Sequence, residues 1–523
     1  MSGGKSVAKA AGFMMIATLI ARLLGFARDM IMYSWFGQTF ATDAYNAAFS
    51  IPDLIYMLLV GGALASAFIP IFSGYLARNE EEEAWKVTSI VFNFIMILML
   101  FLITVAFIYT RPLMILLAPN LPAEYINMAT TLTRVMFIQT FFMALNGIIW
   151  GVLNAKQEFA APAIGSIAYN AGTIIVGLLL AHQWGVMAFS IGVVAGSILN
   201  FVVQIPTLLK AGVKYTPSLN FRHPGFKKII LLMVPVLLGL SVSEINLLVT
   251  QNLASGLAEG SISALRLAQR IMQLPIGIFG TPIAMALFPT MTAQVARLEM
   301  VDFKRTFSLG LRAIFLITIP AGVGLMALRS PVVSLLFQQG KFNGNDVSLT
   351  AWALLFYSMG LFAYSALQLL NRIFYSLQDT LTPVLIGMVS IALNIGFSIL
   401  LIPTLQHGAL ALAYSMAGIF NILALTIILR RRLKTIDGFK IAKSMIIFVG
   451  ASIIMYAATS FTATELSAVL TLAPKVNQLI TVMVSVVAGV MVYVLCVMPF
   501  HLEESELILN MFRKRLPGLK PRS

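Results

Sequence analysis

The chain has little cysteine, histidine or charge. Of its 523 residues only one is cysteine, Cys496, which excludes a disulfide framework or a thiolate metal site within one chain. The four histidines, His182, His223, His407 and His501, are scattered, so we expect no histidine-ligated metal centre. Charged residues make up 11% of the chain, against about 25% in soluble proteins.

A nucleotide-binding loop of the Gly-x4-Gly-Lys-Ser/Thr type is also missing, so we expect no bound cofactor and no direct coupling to ATP. Acidic residues are scarce, and the formal net charge is +15. The lysines and arginines punctuate apolar runs, as orientation signals do, instead of forming a stripe with aromatic neighbours. We therefore expect no nucleic acid partner.

Apolar sequence is abundant: 59% of the residues are hydrophobic and the mean hydropathy is +0.91. This composition predicts an all-α, polytopic membrane protein. Apolar runs of about 20 residues indicate about fourteen transmembrane helices. The predicted spans are roughly 10–35, 44–77, 87–110, 127–154, 160–182, 186–209, 228–255, 260–295, 306–328, 349–376, 381–403, 408–429, 444–461 and 477–499.

Basic residues lie mainly at the termini and in the even-numbered connections between spans. The odd-numbered connections hold only Arg111, Arg329, Lys341 and Lys475. By the positive-inside rule this asymmetry predicts a multi-pass protein of the cytoplasmic membrane with both termini in the cytoplasm.

An internal repeat is visible in two places. Ala67-Phe68-Ile69-Pro70 with Arg78 recurs as Ala286-Leu287-Phe288-Pro289 with Arg297, at an offset of 219. Gln157-Glu158 with Pro162 recurs as Gln378-Asp379 with Pro383, at an offset of 221. We predict two six-helix lobes related by a pseudo-two-fold axis along the membrane normal, with the substrate path between them.

These boundaries divide the chain into four predicted parts. Residues 1–215 form the N-terminal six-helix lobe and residues 216–435 the C-terminal one. Residues 436–500 add two transmembrane helices outside the repeat, and residues 501–523 form a basic cytoplasmic tail.

The first span carries Arg22, Arg28 and Asp29. An arginine at the centre of a membrane helix costs roughly 3 kcal/mol, so we expect both arginines to face a wet cavity. Arg22 and Asp29 lie on nearly one helix face, Arg28 points about 120° away, and Gly25 could let the helix bend. The alternative is that Arg28 and Asp29 sit at the water boundary and only orient the helix.

A second group of charges lies in the seventh and eighth spans. Arg266 and Arg270 are four residues apart and share one helix face ahead of Pro275, where the helix can open into a cavity. Glu244 is a candidate partner for either arginine, with a neutral, hydrogen-bonded acid as the alternative.

Four further charges have simpler explanations. Asp43 and Asp53 are secondary candidates, since each could cap a helix start. Arg312 and Arg134 are expected to snorkel to the membrane surface.

Together Arg22, Arg28 and Arg270 would give a strongly positive cavity. The planar guanidinium stays charged and binds phosphate through paired hydrogen bonds. The other residues of the spans are apolar or small, which suits a lipid. We therefore predict a phosphate-bearing lipid as substrate.

The run Arg22-Leu23-Leu24-Gly25-Phe26-Ala27-Arg28-Asp29, followed by Ala41-Thr42-Asp43-Ala44, resembles the MurJ (MviN) family of lipid II flippases, in the multidrug/oligosaccharidyl-lipid/polysaccharide exporter superfamily. The run from Phe337 to Phe342, Phe374-Tyr375-Ser376 and Thr382-Pro383 are similar to that family too.

The resemblance implies a lipid II flippase for peptidoglycan synthesis, whose last two helices form a groove for the polyprenyl tail. It implies that the substrate-binding residues are Arg22, Arg28, Arg270, Asp29 and Asp43. One departure is Tyr56, where some members have an arginine. The expected partners are lipid II, membrane lipids and cell-wall synthesis enzymes, with the protein itself a monomer.

Three other functions stay open. One is a drug or polysaccharide-lipid exporter of the same superfamily, where a cation-binding member would have an acidic cavity. Another is a membrane enzyme acting on polyprenyl phosphates, which would need acidic metal-binding clusters or a paired catalytic base in a loop. The third is a scaffold for cell-wall enzymes, which would not need buried arginines.

Overall fold

The computed structural model describes residues 2–60 and 63–505. All of the regular secondary structure in these residues is helical, so the all-α prediction is confirmed. Ten helices are long and apolar enough to cross a membrane, or eleven if one bent pair counts as a single span. The number fourteen stays a prediction. Most of the predicted basic tail, residues 506–523, lies outside the described residues.

The chain divides into two compact units. Unit 1 comprises Met1–Ser263 and Gln339–Phe342, and unit 2 comprises Ala264–Gln338 and Asn343–Ser523. The helices that begin before residue 261 are α1 (Ser2–Phe36), α2 (Phe40–Ala48), α3 (Ser50–Leu59), α4 (Ala63–Ala77), α5 (Glu81–Ile108), α6 (Thr110–Leu117), α7 (Ala123–Ala155), α8 (Ala160–Trp184), α9 (Met187–Lys210) and α10 (Pro224–Ala254).

The remaining helices follow in chain order. They are α11 (Ser261–Pro275), α12 (Thr281–Ala296), α13 (Met300–Ala327), α14 (Arg329–Phe337), α15 (Gly344–Met359), α16 (Leu361–Ser376), α17 (Leu381–Leu405), α18 (His407–Leu433), α19 (Gly438–Val469) and α20 (Pro474–Val497).

Unit 1 is built on close helix contacts. Small residues let α8 and α9 approach closely: a Cβ on Gly172 would lie 3.0 Å from the Cα of Gly196. Helix α1 packs on α8, and α7 packs on α9, α2 and α4. The seventh predicted span, α10, packs in this unit against α3, α4, α5 and α6.

The second predicted span, 44–77, is not one helix. It consists of α2, α3 and α4, with a break at Phe49 between the first two. Helix α3 already begins at Ser50, upstream of Pro52, so Asp53 lies in its first turn and not at its N-cap. A proline is tolerated in a first helical turn because the N–H it lacks would have no helical partner there.

In unit 2, α15 and α16 form a pair bent by 45° at Gly360. The hydroxyl of Ser415, on α18, donates to the carbonyl oxygens of Phe356 at 2.6 Å and Tyr357 at 3.3 Å. These bonds satisfy carbonyls near the bend, as membrane interiors require. A Cβ at position 360 would lie 2.6 Å from the Ser415 hydroxyl oxygen, so glycine allows the approach.

The predicted repeat recurs in backbone conformation. Four turns of the first half contain a residue with positive φ, and each has a counterpart with positive φ in the second half. The φ values lie between 53° and 75°, and the two members of each pair are 219, 221, 221 and 222 residues apart. The pairs are Asn79 and Leu298, Gln157 and Gln378, Gly185 and Gln406, and Gly212 and Lys434. This agreement supports a common origin of the two halves, while the lobe boundaries stay a prediction.

Candidate functional site

The charged stretch of α1 lies in an unbroken helix that runs past Gly25 to Phe36. The guanidinium of Arg28 donates to one carboxylate oxygen of Asp29, from Nε at 3.1 Å and from Nη2 at 3.0 Å. The side chains are only 16% and 10% exposed. Pairing lowers the cost of holding the two charges away from water. Arg22, two turns earlier, is exposed.

Helices α2 and α8 complete the surroundings of Arg28. Tyr45 and Tyr169 are close enough to interact with it electrostatically. The side-chain amide of Asn170 donates to the carbonyl oxygen of Ala21 at 3.3 Å, which fastens α8 to the segment of α1 that carries the arginines. Arg28 is therefore partly buried among polar side chains of α1, α2 and α8.

Asp43 is 2% exposed and fully engaged in hydrogen bonds. Its carboxylate accepts from the N–H of Gly260 at 2.9 Å, and from the N–H and hydroxyl of Ser263 at 2.8 and 2.6 Å. It therefore caps the start of α11, and not the start of its own helix, where Thr42 accepts from the Thr39 N–H. Its predicted role in substrate binding stays a prediction.

In unit 2, Arg266 is exposed and Arg270 is partly buried on α11. A π-helical segment, Ile276–Gly280, follows Pro275 between α11 and α12. Such widened turns occur frequently at functional sites. That the helix opens into a cavity here stays a prediction. Next to Arg270, Gln269 lies close to Tyr414 of α18.

The other predicted residues lie in unit 1. Glu244 is partly buried on α10. Asp53 is partly buried on α3, where it interacts electrostatically with Tyr56. Among the predicted site residues in the described part of unit 1, Arg28 and Asp29 contact each other directly.

The prediction that Arg312 snorkels is wrong. Its residue is 4% exposed, and its guanidinium pairs with Glu503 at 2.9 Å and with Glu504 at 2.5 Å. These acids follow α20 in the chain, and no local sequence pattern links them to α13. The sequence did contain one signal for this pairing, namely two adjacent glutamates expected on the same side of the membrane as Arg312.

Comparison with protein families gives a match over most of the chain. The model described as "Lipid II flippase MurJ" matches residues 32–476. A Haemophilus influenzae protein, described as a probable lipid II flippase MurJ, is 30% identical over 471 residues, covering 86% of this chain and 91% of the relative. A lipid II flippase MurJ of Burkholderia cenocepacia is 29% identical over 425 residues, covering 79% and 82%.

Solved structures agree with this match. One described as lipid II flippase MurJ in an inward closed conformation has a TM-score of 0.79 at 26% identity, covering 95% of this chain and 99% of that one. An inward-facing multidrug resistance MATE transporter of the MOP superfamily has a TM-score of 0.65 at 16% identity, covering 81% and 99%. The second likeness shows a shared fold alone.

Proposed function

This chain belongs to the MurJ family of lipid II flippases, and on that premise we propose that it moves lipid II from the inner to the outer leaflet of the bacterial cytoplasmic membrane. The substrate is undecaprenyl-pyrophosphoryl-disaccharide-pentapeptide, used in peptidoglycan synthesis. The protein is a transporter and not an enzyme.

The pyrophosphate is bound by Arg22, Arg28 and Arg270, in a central cavity that these residues line. The observation that carries this proposal is that Arg22 is an exposed residue of α1, with Arg28 oriented about two turns later by Asp29. The two arginines are six positions apart, about 9 Å along the helix and about 120° around it, so a shared diphosphate needs their long side chains to bend toward one another. The guanidinium fork suits phosphate oxygens better than a lysine does.

Transport proceeds by alternating access, with both termini in the cytoplasm. Binding of the anion shifts the equilibrium between the two states by its difference in affinity for them. A pyrophosphate with about two negative charges gains roughly 4–5 kcal/mol per 100 mV on moving outward across an inside-negative membrane. The membrane potential is therefore a sufficient source of energy.

The polyprenyl tail lies in a groove formed by α19 and α20, which fall outside the repeat. Both helices expose apolar side chains along their length, among them Ile446, Ile453, Val487 and Met491. These side chains offer a continuous hydrocarbon surface for a long chain.

The second candidate function is export of another polysaccharide-lipid or of a drug. A MATE transporter shares the fold, but a shared fold alone assigns no substrate. Arginines, which attract anions, favour lipid II over a cationic drug.

The test is leaflet-resolved accessibility of lipid II in cells depleted of this protein. We expect outer-leaflet lipid II to disappear on depletion and to return with the wild-type protein but not with Arg22→Ala. The control is Arg134→Ala, because Arg134 is an exposed arginine of α7 that stacks on Phe107, 5.0 Å from the ring centre. Normal outer-leaflet lipid II after depletion would refute the proposed function.

A further inference from the structure

Three parts of unit 2 meet at the side chain of Arg312. On α13 its Nη1 pairs with Glu504 at 2.5 Å, its Nη2 with Glu503 at 2.9 Å, and its Nε donates to the Ser308 carbonyl oxygen at 3.3 Å. The second carboxylate oxygen of Glu504 accepts from the hydroxyl of Ser444, on α19, at 2.6 Å. Arg312, Ser444 and Glu504 are buried, so water does not compete for these bonds.

The two acids differ in exposure. The side chain of Glu504 is fully buried, whereas that of Glu503 is 53% exposed. The hydrogen bond from Arg312 lowers the pKa of Glu503 below its usual range. Glu504 is the carboxylate that touches both α13 and α19, so it is the centre of what we call the C-terminal clamp: Arg312, Ser444 and Glu504.

Other contacts attach α20 along its length. Near the clamp, the hydroxyl of Tyr493 donates to the Leu316 carbonyl oxygen, one turn after Arg312, at 2.9 Å. Farther along, a Cβ on Gly489 would lie 2.2 Å from the hydroxyl oxygen of Thr459, so α19 and α20 cross closely there. At the opposite end, the Lys475 ammonium donates to the carbonyl oxygen of Ser334 at 3.0 Å.

We propose that the C-terminal clamp positions α20 against α13 and α19, and thereby sets the affinity of the protein for the hydrocarbon tail of its lipid substrate. The inference rests on the proposed function, since it takes the surface of α19 and α20 to be the tail-binding groove. The clamp residues touch no part of the substrate. They act through the helix they hold.

A buried ion pair is a suitable device for this purpose. Apolar contacts between membrane helices compete with equally apolar lipid, so they fix a helix position weakly. A buried guanidinium needs its carboxylate partner in one geometry, because any displacement leaves a charge unpaired away from water. The segment that follows α20 is thus fixed to α13 with a precision that the apolar contacts of α20 alone would lack.

The test compares binding of undecaprenyl lipid II with binding of a short-tailed analogue, using the full-length protein in lipid nanodiscs. We expect Glu504→Gln to weaken binding of the long-tailed lipid about tenfold and of the short-tailed one by less than about twofold. The matched control is Glu503→Gln, which removes the exposed partner of the same arginine and should change the ratio of the two affinities much less.

A second readout follows the helix itself. In a Cys496→Ser background, spin labels at Met498 and Val301, both exposed, report the distance between the end of α20 and the start of α13. We expect a narrow distance distribution in the parent protein and a broad one with Glu504→Gln. The reversed pair, Arg312→Glu with Glu504→Arg, should restore part of the long-tail preference.

Several outcomes would overturn the proposal. An unchanged ratio of long-tail to short-tail affinity in Glu504→Gln would do so, as would equal loss for both lipids. If that variant does not fold, Ser444→Ala removes one hydrogen bond from the same carboxylate, and an unchanged ratio there contradicts the clamp. If the proposed function is wrong, the result is different: the wild-type protein binds neither undecaprenyl lipid II nor the short-tailed analogue.

Discussion

Helices α1 and α13 both carry arginine within apolar sequence, but they treat it differently. On α1, Arg28 is balanced by one carboxylate from the adjacent residue, and Arg22 is exposed. On α13, Arg312 is 4% exposed and is balanced by two carboxylates that lie more than 190 residues away in sequence. The same residue type can therefore be available to an anion or committed to holding helices together. Its acidic partners decide which.

The largest effect is expected at Arg270, which extends the comparison to α11. Arg270→Ala should abolish complementation of a depleted strain at normal protein levels, because it removes a proposed ligand of the pyrophosphate. Arg270→Lys should retain part of the activity, since the charge remains and the bidentate fork does not. Growth and lipid II binding measure both variants. Normal flipping by the alanine variant would make Arg270 a structural charge.

The next largest effect is on stability, where replacing the arginine of α13 should cost more than replacing that of α1. Arg312→Ala should lower the free energy of unfolding by about 3–5 kcal/mol, because it leaves a buried carboxylate unpaired. Within the part of the chain that the structure describes, Arg22 makes no ion pair, so Arg22→Ala should change stability by less than about 0.5 kcal/mol. Unfolding of both purified variants in detergent decides this. Equal destabilisation would erase the contrast.

A smaller effect is expected for Glu244. It tests whether the arginines of α11 have a carboxylate partner from a distant part of the sequence, as Arg312 of α13 does. If Glu244 pairs with Arg266 or Arg270, Glu244→Gln should change transport much less in an Arg266→Ala or Arg270→Ala background than alone. The coupling energy should then be about 0.5–3 kcal/mol. Additive effects in both backgrounds would leave Glu244 as a locally bonded, neutral acid.

The smallest effects are expected at the paired turns of the repeat. Gly185 has φ of 55° and Gln406 has φ of 53°, a region that side chains avoid. Gly185→Ala should destabilise and Gln406→Gly should stabilise, each by about 1 kcal/mol, because the backbone strain alone changes. Nothing lies within 4 Å of a Cβ on Gly185 or on the control, Gly344, whose alanine variant should be neutral. Thermal unfolding measures all three variants, and a stabilising Gly185→Ala or a destabilising Gln406→Gly would contradict a shared turn geometry.

Much of the fold followed from local sequence. Each predicted span falls on one described helix or on a group of consecutive helices. The offset near 220 residues reappears in the left-handed turn residues Gln157 and Gln378. The run from Arg22 to Asp29, taken with Ala41–Ala44 and the later motifs, indicated the family. A helix start at Pro52 was considered for the second span, but the break lies three residues earlier, at Phe49, because Pro52 is also compatible with a first helical turn.

The sequence by itself determined the class of the protein, its apolar helices and the presence of arginines within them. It could do so because a bilayer forces each apolar segment to satisfy its own backbone hydrogen bonds, which makes helix formation a local matter. Tertiary structure alone decided that Asp43 caps α11 and that Arg312 is buried against Glu504. Those partners come from distant segments, and the cost of leaving a charge unpaired away from water is settled only when the helices pack.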